Sequence, residues 1–285
     1  MAGSGKKWLA GCGIGCGLMI LIAGGIGTCG YFSVKKISDR AESLDEGFTT
    51  LRESYGAPGA FVPAADGAIP ADRVELFLSV RQDMRATRDG LAEVLTELDA
   101  DVSGPGGVIA KIRGGISLIP RMFDFIDARN TVLVERGMGL GEYLHIYTVA
   151  YFAWLAKDPA DGPSFQLTGD NEEENNGSFR WGMETDDDED TRDNRNEHIR
   201  RYLHGIQREI VGNQHTAAEM AGLDPGWITV LREETGAMDA RPLRLLWQDD
   251  LPSRIADSLE PYRDRFEASY SEIMNAVEMG LVTHK

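Results

Sequence analysis

Glu142 and His145 stand three residues apart in Gly141-Glu-Tyr-Leu-His-Ile-Tyr147. On a helix that spacing puts a carboxylate and an imidazole on one face. Glu-x-x-His is the spacing with which di-iron bundles hold their metal, and a full site takes two such pairs and two further glutamates. None of the other four histidines has a glutamate three residues before it. The pair is therefore half a site, and the competing reading is a polar edge on an aromatic helix. Tyr143, Tyr147, Tyr151 and Trp154 on the same stretch are candidates either for core packing or for lining a small apolar ligand.

Two further groups have ligand chemistry. Asp186, Asp188, Asp190 and Glu197 match positions one, three, five and twelve of a calcium loop. The glycine that such a loop needs at position six is Thr191, and the apolar position eight is Asp193. A dense acidic run meets such a pattern by chance, so loose cation condensation is the expected behaviour. His204 and His215 are eleven residues apart on a helical pattern, and Glu219 follows His215 by one turn. Two nitrogens and an oxygen could hold zinc. Histidines spaced singly on an arginine-rich helix are more often surface residues, and no cofactor is expected.

The stretch Gly11-Cys-Gly-Ile-Gly-Cys-Gly17 looks chemical and is not. It lacks the lysine and hydroxyl of a phosphate loop, the third glycine of a dinucleotide fold and the spacing of a metal or redox pair. Its flanks explain it. Lys6 and Lys7 precede and Lys35 and Lys36 follow a run, Trp8 to Val34, that has no charge. About 27 residues make roughly 40 Å of helix, enough to cross a bilayer with some tilt. Trp8 and Tyr31 sit where interfacial aromatics belong. One transmembrane helix over 8–34 is expected, with Gly13, Gly17, Gly24 and Gly27 near one face that lets a second helix approach closely. The run is longer than the core of a cleaved signal peptide, and a lipidated Cys29 is the weaker alternative. Flanking charges are balanced, so the orientation is that of an N-terminal anchor, tail inside and domain outside.

The elements that would position the candidate groups are helical. The chain has 285 residues and a formal net charge of -17, which excludes nucleic acid as a partner of the domain. All three cysteines lie in the membrane run, so the rest is without disulfides. Ile37, Ala41, Leu44, Phe48, Leu51 and Tyr55 predict a juxtamembrane helix over 35–57, followed by a Pro/Gly/Ala linker over 58–69. A first helical part spans 70–157, with Gly104-Pro-Gly-Gly107 as a turn and Pro120 as a kink in a heptad-like seam that carries Asn130. From Asp158 to Glu197 there are fourteen acids against three arginines, and 158–195 is expected to be a largely disordered loop. A second helical part, 196–285, carries the seam Ile199, Leu203, Ile206, Ile210, Asn213, Ala217, Met220 and a last stripe, Ile255 to Val277, with Pro261 inside it. The fold class is all-α: one N-terminal transmembrane helix followed by an antiparallel helical-bundle domain.

Three segments together resemble uncharacterised bacterial single-pass membrane proteins with a helical ectodomain. They are Pro70-Ala-Asp-Arg-Val-Glu-Leu-Phe-Leu-Ser-Val-Arg81, Met138-Gly-Leu-Gly-Glu-Tyr143 and Ser258-Leu-Glu-Pro-Tyr-Arg-Asp-Arg-Phe-Glu267. They cover about a tenth of the chain, and the resemblance implies no activity and no site residues. The expected function is a membrane-anchored interaction or scaffolding module of the cell envelope, its partner the membrane and another protein or itself. The alternatives are a metal-binding protein or metal-dependent enzyme, and a helical domain that binds a small apolar ligand.

Overall fold

The computed structural model describes residues 46–99, 105–162 and 189–280, and every regular element among them is helical. The expected membrane span, its glycine face and Cys29 lie outside the described residues, as do Asp186 and Asp188. No helix among the described residues is long and apolar enough to cross a membrane.

A short helix, α1, runs over 46–55 and buries Leu51 against the domain. The chain then makes one 3-10 turn, Pro58–Ala60, and an irregular strap to Pro70. Helix α2 (Ala71–Asp83) and helix α3 (Arg85–Asp99) follow each other with only Met84 between them. Helix α4 (Pro105–Arg136), 32 residues or about 48 Å long, packs back on α3 and α2. Of the expected turn Gly104–Gly107, Gly104 lies outside the described residues and Pro105 to Gly107 are helical: Pro105 opens the helix, where its missing N–H is no loss. Pro120 falls inside α4 without ending it.

Helix α5 (Leu140–Tyr147) continues as a π-helical stretch, Thr148–Trp154. All residues from Leu140 to Phe152 are buried. A helix that is buried all round has no solvent face, so the rest of the domain must wrap it. Helix α6 (Glu189–Met220) and helix α7 (Pro225–Ala240) form an antiparallel hairpin. Gly222, at φ +64, turns the chain, and the Asp224 side chain caps α7 by accepting the Trp227 N–H at 3.1 Å. The last stripe is broken into α8 (Ser253–Leu259), a 3-10 turn containing Pro261, α9 (Arg263–Ser269) and α10 (Glu272–Gly280).

Three boundaries differ from those expected of the sequence. The acidic run is ordered at both edges. Asp158 accepts the Ala160 N–H at 2.8 Å and pairs with Arg192, Arg195 donates to the Ala160 carbonyl at 2.8 Å, and α6 already starts at Glu189. The expected disorder falls on 163–188, outside the described residues. On α6 the expected seam is buried at Ile199, Leu203 and Ile210, while Met220 is 85% exposed. At Ile206, Asn213 and Ala217 it stands one residue early: these are half-buried, and Gln207, Gln214 and Ala218 take the core positions beside them. The linker, finally, is not a linker: it is a wall of the domain, as described below.

Candidate functional site

The strap 61–70 closes one turn of its own, Gly67 N–H to the Ala64 carbonyl at 2.9 Å, and most of its remaining backbone groups need partners from elsewhere. Side chains of three helices supply them. Asn213 donates to the Gly59 carbonyl at 2.9 Å, Gln214 to Ala64 at 2.8 Å and Trp227 Nε1 to Ala65 at 2.7 Å. Arg254 donates to the Asp66 carbonyl at 3.0 Å, and the Ile69 N–H goes to Ser258 Oγ at 3.2 Å. On its other side the chain touches the start of α5. Gly139 leaves room for Tyr55, and at Gly141 a Cβ would fall well inside contact with the Pro58 carbonyl. That atom is backbone and cannot swing away. Gly141→Ala is expected to lose about 2–3 kcal/mol, the cost of overpacking, read as a lower urea midpoint at unchanged slope.

Between the strap, α5 and the start of α2 lies a cavity of about 320 Å³. Its apolar wall includes Phe61, Pro63, Ile69 and Ile146, and its polar wall is Arg73, Glu142 and His145. The helical spacing of Glu142 and His145 does place both on the cavity. Their partners decide what each can do. Arg73 Nε donates to Glu142 Oε1 at 2.6 Å, and Arg73 Nη2 pairs with Glu142 Oε2. Both carboxylate oxygens are thus engaged by one guanidinium, a fork geometry that leaves the pair neutral.

His145 is 5% exposed and its Nδ1 lies 3.0 Å from Gln207 Oε1. Gln207 Nε2 faces the Leu144 carbonyl at 3.3 Å and Thr148 Oγ1 at 3.4 Å, so its oxygen is the atom toward the ring. This assigns the proton to Nδ1 and the lone pair to Nε2. Burial pushes the imidazole down to about 4, with the Gln207 bond working the other way. The ring is neutral at pH 7 and serves as a hydrogen-bond acceptor.

A second polar centre lies deeper and was not anticipated. Arg81, 2% exposed, donates from Nη1 to Glu278 Oε2 at 2.7 Å and to Tyr143 Oη at 2.9 Å. Its Nη2 donates to the Ser269 carbonyl at 2.6 Å, which also accepts from Arg88 at 2.9 Å. The guanidinium stands 5.1 Å from the Tyr151 ring and 5.2 Å from the Tyr147 ring. Burial opposes its charge, and the Glu278 carboxylate more than offsets this, holding Arg81 well above the ordinary arginine value. Tyr147 donates to Asn275 Oδ1 at 3.0 Å, and Asn275 Nδ2 donates to the Pro159 carbonyl at 2.8 Å. Tyr143, Tyr147 and Tyr151 are therefore engaged in this network; they do not line the cavity, and Trp154 packs edge-on to Phe266 with Arg263 over its face. Arg129, 1% exposed, is buried beside Asn130 and Phe48, and no carboxylate reaches ion-pair distance among the described residues.

The remaining candidates are not brought together. His204 Nδ1 is 2.9 Å from the Arg244 carbonyl, and His215 Nε2 is 3.5 Å from Glu219. Eleven residues of helix separate the two imidazoles by about 16 Å along the axis, so sharing a face does not let them share an ion. Asp190 and Glu197 belong to α6, and the helix from Glu189 onward leaves no loop to wrap calcium. Glu197 pairs with Arg201 instead. Among the described residues no group of three His, Cys, Asp or Glu side chains could hold a metal ion.

The three segments that carry the resemblance in sequence also meet in space. Arg73–Glu142 joins the first two, and Phe77 packs on Tyr143 at 5.1 Å and on Phe266 at 5.7 Å. Comparison of the chain with protein-family models, with curated proteins and with solved structures gave no match.

Proposed function

We propose that the chain is a single-span membrane protein whose helical domain binds another protein or a second copy of itself outside the cytoplasm. The observation that carries this reading is the charge-free run Trp8–Val34, bracketed by lysine pairs, which ends shortly before α1. Leu51 of α1 is buried in the domain, so few residues separate the run from the fold. Gly13, Gly17, Gly24 and Gly27 support close approach of a second membrane helix. The net charge of -17 favours partners with basic surfaces over nucleic acid or anionic headgroups.

The test is topology. A reporter active only outside the cytoplasm, fused after Lys285, is expected to be active in the membrane fraction and to stay there after an alkaline wash. A cytoplasm-only reporter at the same position is expected to be silent. The reverse pattern would replace the envelope module by a membrane-tethered cytoplasmic adaptor, and release by the wash would remove the anchor altogether.

A further inference from the structure

We propose that the cavity under the strap binds a small uncharged molecule with an apolar body and one hydroxyl or N–H donor, which it offers to His145 Nε2. Four observations carry this. The cavity, about 320 Å³, lies at the lower end of the range in which proteins hold small ligands. Its wall is built rather than incidental: side chains from α6, α7 and α8 hold the strap through four hydrogen bonds and the 3-10 turn before it through a fifth. Its polar side carries no net charge, because Arg73 and Glu142 neutralise each other. Among its polar side chains one acceptor remains. His145 Nδ1 is turned to Gln207, and Nε2 has no partner among the described residues.

The chemistry of the occupant follows. A carboxylate or phosphate would meet Glu142 beside Arg73 and would have to break that fork to gain a cation. An ammonium would meet Arg73. A donor hydroxyl or N–H satisfies Nε2 directly, and Phe61 and Ile146 cover a ring or short branched chain. The inference does not depend on the membrane anchor, so the two stand or fall separately.

Phenol is the simplest probe with this shape, toluene its counterpart without the donor, and benzoate its counterpart with a charge. The full chain, labelled with ¹⁵N at its five histidines, would be titrated with each. Phenol is expected to bind with a Kd of about a millimolar, as its few atoms allow, and to shift the Nε2 resonance of His145 saturably. Toluene is expected to leave Nε2 unmoved, and benzoate to bind at least tenfold more weakly. Val62 is 51% exposed beside the cavity, so Val62→Trp fills the space without touching the core. This variant is expected to fold normally and to lose the phenol shift. Absence of a saturable phenol shift, a shift of Nε2 by toluene alone, benzoate binding as tightly as phenol, or phenol binding unchanged in Val62→Trp would each overturn the proposal.

Discussion

Glu278→Gln is expected to be among the most destabilising single substitutions in the domain, at about 3–5 kcal/mol, although it exchanges one oxygen for a nitrogen. Glu278 is 1% exposed and Arg81 2% exposed, and the two meet at 2.7 Å inside a cage of tyrosines. A glutamine at this position would still accept a hydrogen bond. It would not supply the charge that offsets the desolvation of the guanidinium. Removing one partner of a buried pair leaves the other uncompensated, which is the source of the large loss. The pair as a whole contributes far less, since its attraction is largely offset by the cost of burying two ions. The double variant Arg81→Met, Glu278→Leu is therefore expected to recover most of the loss, to within about 2 kcal/mol of the original chain, the range of repacking costs. Urea unfolding of the singles and the double gives the coupling directly. If the double is as unstable as Glu278→Gln, the loss comes from packing around the tyrosines and not from the charge.

Acidification is expected to weaken the domain through His145 before most carboxylates titrate. Its imidazole is held down to about 4 by burial, against about 6.5 in an unfolded chain. Between these values the unfolded state binds a proton that the folded state refuses. Stability from this group is thus fully present above about pH 6.5 and is lost as pH falls toward about 4. The gap amounts to about 3 kcal/mol in full, of which about 2.5 kcal/mol is gone by about pH 4.5. His145→Gln keeps a donor for Gln207 and removes the titration. Stability of the two chains compared from about pH 7.5 to about pH 4.5 should show the extra slope in the original chain only. The same slope in both would place the acid sensitivity elsewhere, and a His145 resonance titrating near about 6.5 would show the ring to be hydrated.

The glycines around Glu142 show how local letters and distant contacts share the work. In sequence Gly139 looks like loop punctuation and Gly141 like a weak position in a helix. In the fold they are sites of close approach, one to Tyr55 and one to the Pro58 carbonyl. No periodicity within Met138–Tyr143 reveals this, because the neighbours lie far earlier in the chain. The strap reads as a linker for the same reason. Its composition is that of a flexible segment, and it is ordered by Asn213, Gln214, Trp227, Arg254 and Ser258 from helices that follow much later.

Arg81 could have been found. It falls four residues after Phe77 and seven after Val74, on the buried stripe of α2, and Glu278 follows Met274 by four on α10. A charge on an apolar stripe marks a buried ion or an error of phase, without saying which distant group it meets. Arg129 on the α4 seam, between Ile126 and Leu133, carries the same signal.

What the amino-acid order decided alone is what depends on neighbours within a turn or two. That covers the helical class, the starts of α2, α5 and α7 within a residue or two, the caps at Asp224 and Gly222, the break at Pro261 and the shared face of Glu142 and His145; it does not cover the break at Met84 or the start of α6 at Glu189. Each follows from side-chain periodicity or backbone restriction, and both act locally. What only the tertiary structure decided is which polar groups meet across the fold. Arg73 finds Glu142 over 69 residues, Arg81 finds Glu278 over 197, and His145 finds Gln207 over 62. Those meetings fix whether a carboxylate is free to bind metal, whether a tyrosine lines a cavity or a buried ion, and which nitrogen of a histidine is left open. They are set by how helices pack, and packing between distant helices leaves no signature in the spacing of residues along one of them.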